Sequence, residues 1–361
     1  EARLQARLAD CLEQAQRPEP GRVRGVLRDI EAGADIIQTN TFGANRFKLG
    51  KHGLESRLIE INRGGVELAR SVVKASSREV FTAGDIGPLG VRIAPFGRVQ
   101  PEEARAAFAE QIAVLVEAGV DLLIIETFTD LYEIREAIQA AKQFAHLPVI
   151  ASMTYTRDDR TVLGDDPAKV AKALHEAGAD VIGVNCSGGP AQLLRLLKAM
   201  RQAVPNGLFS VMPNAGWPEQ VGGRIMYPAD PDYFGDYALS FRDAGASVVG
   251  GCCGTTPQHI AAMRKALDES PPINLSHITM LPADEEVEAA AESPTEFAQK
   301  LAAGKFAISV EMDPPRGLST HKLLAGASLL AEAGADVINV ADSPMARMRM
   351  SAWAVCDVVQ R

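Results

Sequence analysis

The feature that most constrains this chain is a short phrase that recurs five times along it. Each copy has an acidic residue, alanine and glycine, followed by a run rich in β-branched residues or leucine. Glycine at that point favours a left-handed helix end, and the apolar run is typical of a strand buried on both faces. The phrase therefore predicts helices that lead into a parallel sheet. The copies are "EAGADIIQTN" (31–40), "EAGVDLLIIET" (117–127), "EAGADVIGVNC" (176–186), "DAGASVVGGCC" (243–253) and "EAGADVINVAD" (332–342).

Seven strand–helix units are predicted before residue 272. Alternation of this kind favours a (β/α)8 TIM barrel or an open doubly wound α/β sheet, and periodicity does not separate the two. We favour the barrel, and we expect its first strand to be missing from this chain because it would precede Glu1. The predicted strands are 35–40, 80–85, 121–126, 148–154, 180–185, 207–212 and 247–250.

Composition narrows the classes of function. The net charge of −9 over 361 residues leaves no basic surface for nucleic acid. No apolar run approaches the ~20 residues that span a bilayer, and the first residues predict a polar amphipathic helix rather than a secretory leader. Five cysteines are few and odd in number. We therefore expect a cytoplasmic protein without disulfides, in which clustered thiols serve metal binding or catalysis.

Three cysteines fall at the ends of predicted strands. Cys186 ends one strand, and Cys252 and Cys253 follow another. In a barrel the carboxyl ends of the strands form the rim on which active sites are built. Three sulfur ligands with an open fourth position are the arrangement of a catalytic Zn²⁺. The sequence therefore predicts a zinc site formed by these three residues.

The two adjacent cysteines need a particular backbone to share one ion. In an extended strand Cys252 and Cys253 would point to opposite sides. Both can face the same ion only where the chain turns, and Gly250, Gly251 and Gly254 permit a turn at low steric cost.

The charge of such a site indicates its chemistry. Three thiolates make Zn²⁺ a weak Lewis acid, which suits it to holding a fourth thiol as a nucleophilic thiolate. The favoured reaction is alkyl transfer to a substrate thiol. Two other interpretations stay open at this point, namely inert buried cysteines and a regulatory disulfide.

Four further residues at the predicted rim are candidates for substrate binding. Glu126 ends a strongly apolar strand, where a carboxylate requires a cationic partner. It is either a clamp for a substrate ammonium group or half of a salt bridge to a local arginine. Asn40, Asn185 and Asn214 also end strands, and each is either a binding residue or a turn former.

Four motifs, in this order, resemble the homocysteine S-methyltransferase family over about residues 22–268. They are "GADIIQTNTFGANRFKL", "GVNCSGGP", "PNAGWP" and "GGCCGTTPQHI". The resemblance implies a (β/α)8 barrel, homocysteine as the thiol, and zinc held by Cys186, Cys252 and Cys253. It also implies that Glu126 holds the substrate amino group and that Asn214 lies at the open position of the metal. The family's opening Asp-Gly-Ala-Met-Gly-type turn, which helps to hold homocysteine, has no counterpart in this chain.

The last part of the chain predicts a second domain. A proline-flanked acidic stretch at 271–294 is typical of a linker between a barrel at 1–270 and a strand–helix–strand–helix segment at 295–361. That segment resembles the start of methylenetetrahydrofolate reductase, a flavin-bearing barrel family, which implies that Glu311 is a catalytic acid. The alternative is a strand-end carboxylate that pairs with Arg316. We expect FAD and reductase activity only where that domain is complete.

The sequence as a whole predicts zinc-dependent methyl transfer to homocysteine, giving methionine, as half of a bifunctional enzyme. The expected partners are homocysteine and a methyl donor, with a folate-linked donor suggested by the reductase-like segment. Neither a nucleic acid nor a membrane is expected, and a homo-oligomer is included among the expected partners. The alternative from another class is a non-enzymatic zinc or redox-sensing thiol module, which would have no affinity for homocysteine.

Overall fold

The computed structural model describes residues 20–144, 146–217, 219–221, 224–270, 296–315 and 320–340, together with residues 355, 356 and 359. Contacts divide the chain into two compact units, Glu1–Asn274 and Leu275–Arg361. Among the described residues, no helix has both the length and the apolar character needed to cross a bilayer.

The first unit alternates strands with helices, as the repeated phrase predicts. Its strands are β1 (Ile36–Gln38), β2 (Phe81–Ile86), β3 (Leu122–Phe128), β4 (Val149–Met153), β5 (Val181–Cys186), β6 (Leu208–Pro213), the hairpin strands β7 (Glu219–Val221) and β8 (Arg224–Met226), and β9 (Val248–Val249). Its helices are α1 (Pro20–Glu31), α2 (Arg46–Gly50), α3 (Leu58–Ala75), α4 (Pro101–Glu117), α5 (Leu131–Ala141), α6 (Pro167–Ala177), α7 (Pro190–Ala203), α8 (Pro231–Asp243) and α9 (Pro257–Glu269).

Seven parallel strands form one sheet in the order β1-β2-β3-β4-β5-β6-β9. All seven predicted strands are present, with ends that differ by a few residues. The order follows the chain without the reversal that a doubly wound sheet requires, so the open-sheet alternative is excluded. Among the described strands no ladder joins β1 to β9, and the barrel is open between them. A cavity of about 510 Å³ lies at this opening and is lined by Ile36–Gln38 and Ser247–Gly251.

Alternate residues of each strand pack into two separate apolar layers. Leu122 and Ile124 face the interior of the barrel, where they contact residues such as Ile150 and Met212. The intervening Leu123 belongs to the larger cluster between sheet and helices. Burial on both faces explains why the strands are apolar runs rather than alternating patterns. It also means that a polar residue on an inner face near a strand end points toward the mouth of the barrel.

The predicted left-handed glycines are present in all five copies of the phrase. Gly33, Gly119, Gly178, Gly245 and Gly334 have φ between 88° and 108°. Most other residues are strained there, because a Cβ crowds the neighbouring carbonyl oxygen. The glycine thus releases the chain from each helix into the next strand.

The second unit has its own elements. They are helix α10 (Glu296–Ala302), strand β10 (Ser309–Met312), helix α11 (His321–Glu332) and strand β11 (Val337–Val340). Strands β10 and β11 pair in parallel, with Glu311 in register with Asn339. A strand–helix–strand order is present in this segment, while the whole predicted linker and most of the predicted final helix lie outside the described residues.

Candidate metal centre

The three candidate cysteines come together at the carboxyl ends of the strands. Cys186 is the last residue of β5, and Cys252 and Cys253 follow β9. Their sulfur atoms all lie within 4.8 Å of one another. The Sγ atoms of Cys186 and Cys253 are 3.9 Å apart, far beyond the ~2.05 Å of a disulfide bond. Cys186 and Cys252 are half-buried and Cys253 is exposed, so the cluster opens to solvent on one side.

An unusual backbone turns Cys186 toward its partners. Within β5, Asn185 faces the barrel interior, so a further extended residue would face the helices. Instead, Cys186 and Ser187 adopt left-handed φ values of 55° and 50°. The Ser187 Oγ donates to the carbonyl of Asn185 and accepts from the backbone N–H of Tyr155, which holds this conformation. The turn places the thiol over the mouth of the barrel.

The paired cysteines also lie on a turn, as predicted, although the glycines contribute differently. Gly254 has a left-handed φ of 80°, and a Cβ there would lie 2.3 Å from the ring of Tyr227. Gly250 and Gly251 are not among the residues of positive φ. Gly251 is needed for space, because a Cβ would lie 2.5 Å from the side chain of Thr255. Thr255 closes the turn by donating its backbone N–H to the carbonyl of Cys252.

Asn185 connects the thiols to the candidate carboxylate. Its side chain is fully buried, and Nδ2 donates to Glu126 Oε2 at 2.7 Å and to Thr127 Oγ1 at 2.7 Å. The same nitrogen lies 3.8 Å from the sulfur of Cys252, while Oδ1 accepts from the backbone N–H of Thr127. Asn185 is thus more than a turn former, because it fixes Glu126 close to the sulfur cluster.

Glu126 lies in an environment that disfavours its charge. Burial raises the pKa of Glu126 to about 7, and the nearby Cys253 thiol adds to the effect. Among the described residues no arginine or lysine forms an ion pair with Glu126, so the predicted alternative of a salt bridge to a local arginine is not observed. A cationic ligand would supply the missing positive charge.

Asn214 and Asn40 differ in their positions. Asn214 is buried directly after β6, and its Oδ1 accepts from the backbone N–H of Cys253 at 3.1 Å. Asn40 is exposed at the end of β1, between two buried threonines. Glu311 lies in the second unit, where its Oε2 accepts from Asn339 Nδ2 at 3.3 Å. Its alternative partner Arg316 lies outside the described residues.

Asp85, near the carboxyl end of β2, is a residue to which sequence reasoning gave no role. It follows the apolar start of β2 and is almost completely buried. Its backbone is fixed by two threonines, since its N–H donates to Thr39 Oγ1 and its carbonyl accepts from Thr41 Oγ1. Burial raises the pKa of the Asp85 carboxyl well above its usual range, and the Glu126 charge adds to the effect. The signal available in the sequence was a lone acid inside "FTAGDIG".

The sulfur spacing fits a tetrahedral metal ion. Two sulfurs on one zinc ion, with bonds of ~2.3 Å, lie ~3.8 Å apart, close to the 3.9 Å between Cys186 and Cys253. Without an ion, hydrogen bonds with the thiols of Cys186 and Cys253, together with burial, raise the pKa of Cys252 far above its usual range. A divalent cation among the sulfurs would reverse that effect, because it favours thiolates.

Fold and site together define a class: an α/β barrel protein with a three-thiol, metal-competent cluster on the carboxyl-terminal rim of its sheet. The model of the homocysteine S-methyltransferase family matches residues 2–267. The chain belongs to that family.

Individual relatives agree with this assignment. The methionine synthase of Mycobacterium leprae (strain TN) is 31% identical over 271 residues, which cover 71% of this chain and 22% of that protein. The methionine synthase of Mycobacterium tuberculosis (strain ATCC 25618 / H37Rv) is 31% identical over 272 residues, covering 72% and 22%. The chain thus spans about a fifth of the length of these relatives.

Solved structures show the same fold. The metallated form of the homocysteine methyltransferase MmuM from Escherichia coli superposes with a TM-score of 0.59 at 22% identity, covering 71% of this chain and 87% of that one. The oxidised form of the same enzyme gives a TM-score of 0.60 at 22% identity, covering 73% and 92%.

Proposed function

We propose that the first unit binds Zn²⁺ through Cys186, Cys252 and Cys253 and transfers a methyl group to the thiol of homocysteine, giving methionine. The observation that carries the proposal is the convergence of three sulfurs, from two separate strand ends, to within 4.8 Å of one another. Membership of the homocysteine S-methyltransferase family supports it.

The donor set suits a soft divalent ion with one open position. Among the described residues, these three cysteines are the one group of histidine, cysteine or acidic side chains with metal-ligand spacing. Three protein ligands leave a fourth tetrahedral position for a substrate sulfur. When bound, Zn²⁺ would lower the pKa of that thiol from its free value of ~8.5, so that it is nucleophilic at neutral pH.

The residues of the chain hold and orient the substrate in this proposal. Glu126 binds the ammonium group of homocysteine, because its half-buried carboxylate has no ion-pair partner among the described residues. Asn185 keeps Glu126 in place through the 2.7 Å hydrogen bond. Asn214 fixes the backbone of Cys253. Fixed groups on both ends of a short substrate orient its sulfur toward the donor and lower the entropic cost of reaction.

We further propose that the second unit is the start of a reductase-like barrel and that the methyl donor is folate-linked. The parallel pair β10–β11, joined by α11, supports a barrel-type strand–helix–strand unit. Glu311, near the end of β10, would be the catalytic acid, and FAD would bind only a complete domain. The bifunctional assignment and the cytoplasmic location stay predictions, as does the homo-oligomer.

Zinc-edge X-ray absorption on the intact protein tests the proposal. We expect three sulfur neighbours around zinc without homocysteine and four with it. An unchanged shell would contradict the mechanism and favour the thiol-module alternative. Cys252→Ala should lose both zinc and methyl transfer. Cys356→Ala removes an exposed cysteine of the second unit and is the matched control, which should keep both.

A further inference from the structure

Asp85 is a buried acid without an ion-pair partner among the described residues. Its side chain is 6% exposed, and its Oδ1 has no hydrogen-bond partner. No ion pair within 4.0 Å joins Asp85 to a lysine, arginine or histidine in the described part of the chain. The side chain does form a hydrogen bond with that of Glu126. A buried and a half-buried acid in contact without an ion-pair partner are costly, so the arrangement requires a reason.

The strand register places Asp85 beside Glu126. Asp85 pairs with Ile124 of β3, and Ile124 faces the barrel interior. Residues in register point to the same face, and so do residues two apart on one strand. Asp85 and Glu126 therefore share the inner face at the mouth of the barrel, and the ionisation of each carboxyl affects the other.

Lys48 is the cation that interacts with this pair, and it does so only through Asp85. Lys48 acts on Asp85 electrostatically, but it also faces Glu133, and its Nζ lies 4.6 Å from the ring centroid of Phe42. Asp85 and Glu133 thus both act on Lys48, while Oδ1 of Asp85 stays unpartnered. The arrangement lacks one positive charge that carries hydrogen-bond donors.

The position of the pair relative to the sulfurs matches a short amino-acid thiol. Glu126 Oε2 and the Cys252 sulfur are linked through one nitrogen of Asn185, by contacts of 2.7 Å and 3.8 Å. A ligand whose sulfur joins the cluster would therefore carry its ammonium group, a few bonds away, to the two carboxylates. An ammonium group has three N–H donors and can serve both acids at once.

We propose that Asp85 is a second substrate-binding carboxylate, which holds the ammonium group of the amino-acid thiol together with Glu126. This inference rests on the proposed function, and it adds a specificity: the site takes α-amino thiols and discriminates against thiols that lack the amino group. A site built to satisfy buried polar groups rejects a ligand that leaves them unpaired.

The test compares two thiols on the zinc-loaded intact protein by isothermal titration calorimetry. The ligands are L-homocysteine and its des-amino analogue 4-mercaptobutanoate. Asp85→Asn keeps the shape of the side chain but removes its charge. We expect it to weaken homocysteine binding about 10- to 100-fold and to change binding of the analogue less than about twofold. Asp29→Asn is the matched control, because Asp29 on helix α1 is another acid whose pKa burial raises, and it should leave both affinities unchanged.

Each outcome decides between distinct conclusions. Equal weakening of both ligands by Asp85→Asn, or no change in either, overturns the role of Asp85 and leaves the proposed function in place. Absence of zinc-dependent homocysteine binding in the unmodified protein overturns both. If Asp85→Asn does not fold, Asp85→Ser removes the same charge in a smaller side chain, and loss of the preference for homocysteine is again the expected result.

Discussion

At the scale of single residues, the site depends on side chains whose partners lie far away in the sequence. Asn185 hydrogen-bonds to Glu126 and Thr127, which precede it by 59 and 58 residues in the sequence. Its amide group has both donors and an acceptor, so one side chain serves a carboxylate, a hydroxyl and a backbone N–H. An ionised acid at this position would have no N–H to donate to Glu126, which is what the asparagine supplies.

Glu133 provides a pH-dependent contribution to stability outside the metal centre. It is buried and accepts the backbone N–H of Leu89 at 2.7 Å. Burial raises the pKa of Glu133 to about 7 from its ordinary 4.5, with Asp130 adding to the rise and Lys48 opposing it. Because the folded pKa is the higher one, the folded state binds the proton more tightly. This contribution is complete below about pH 4.5 and is lost as the pH rises through about 7.

Glu133→Gln should therefore stabilise the protein at pH 8 more than at pH 5. Glutamine keeps the acceptor for Leu89 and removes the titration. The gain in unfolding free energy between the two pH values should approach about 3 kcal/mol at most. Urea unfolding of both proteins at each pH measures it. An equal difference between variant and parent at pH 5 and pH 8 would show that Glu133 does not titrate in this range.

At the scale of elements, the site is made by how strands end. Thr127 at a bulge of β3 and Cys186 at the end of β5 both adopt left-handed φ, at 61° and 55°. Non-glycine residues rarely adopt this region, and they cluster at functional sites. Gly254, directly after the paired cysteines, also has a left-handed φ, of 80°.

Gly254→Ala should weaken zinc binding by moving that turn. Gly254 has φ of 80°, and the added methyl group would meet the Tyr227 ring at 2.3 Å. Gly164→Ala is a matched control, because its φ is 89° but no atom lies within 4 Å of its Cβ position. We expect the free energy of unfolding of each variant to fall by about 1 kcal/mol through backbone strain. Only Gly254→Ala should show a larger fall, together with at least tenfold weaker zinc binding.

Competition with a chelating zinc indicator measures the affinities, and thermal unfolding measures the stabilities. Identical behaviour of the two variants would mean that the Tyr227 contact does not constrain the cysteine turn.

The pattern of strands and helices could be predicted from the sequence because its signals are local. A glycine helix end followed by an apolar run marks each strand, and aspartate or threonine before proline marks several helices, as at Asp166 and Asp230. The three cysteines and Glu126 could be placed at the rim for the same reason. The partners of Asn185 and the unpaired oxygen of Asp85 could not be predicted, because they depend on strand register and on left-handed residues. The sequence predicted that Gly250, Gly251 and Gly254 together permit the turn, whereas Gly250 and Gly251 are required for packing space.

At the scale of the whole chain, the two units can be followed separately. The sequence has two tryptophans, Trp217 in the first unit and Trp353 in the second. Each is therefore a reporter of one unit once the other is changed to phenylalanine. All three proposed zinc ligands lie in the first unit.

Zinc removal should therefore destabilise one unit only. An ion that binds the folded state raises its stability by mass action, and chelation withdraws that gain. In Trp353→Phe the fluorescence-detected unfolding midpoint should fall when a chelator is added, whereas in Trp217→Phe it should not move. Adding Cys186→Ser to the first variant should abolish the fall. Equal shifts from both reporters would contradict the assignment of the metal to the first unit.

The short edge strand β9 gives the metal centre a mechanical consequence. Only Val248 and Val249 of β9 pair with β6, whereas the cysteines come from β5 and from the segment after β9. An ion held by these sulfurs would cross-link the segment after β9 to β5, across the intervening strand β6. Metal binding would then increase the order of β9, and loss of the metal would decrease it.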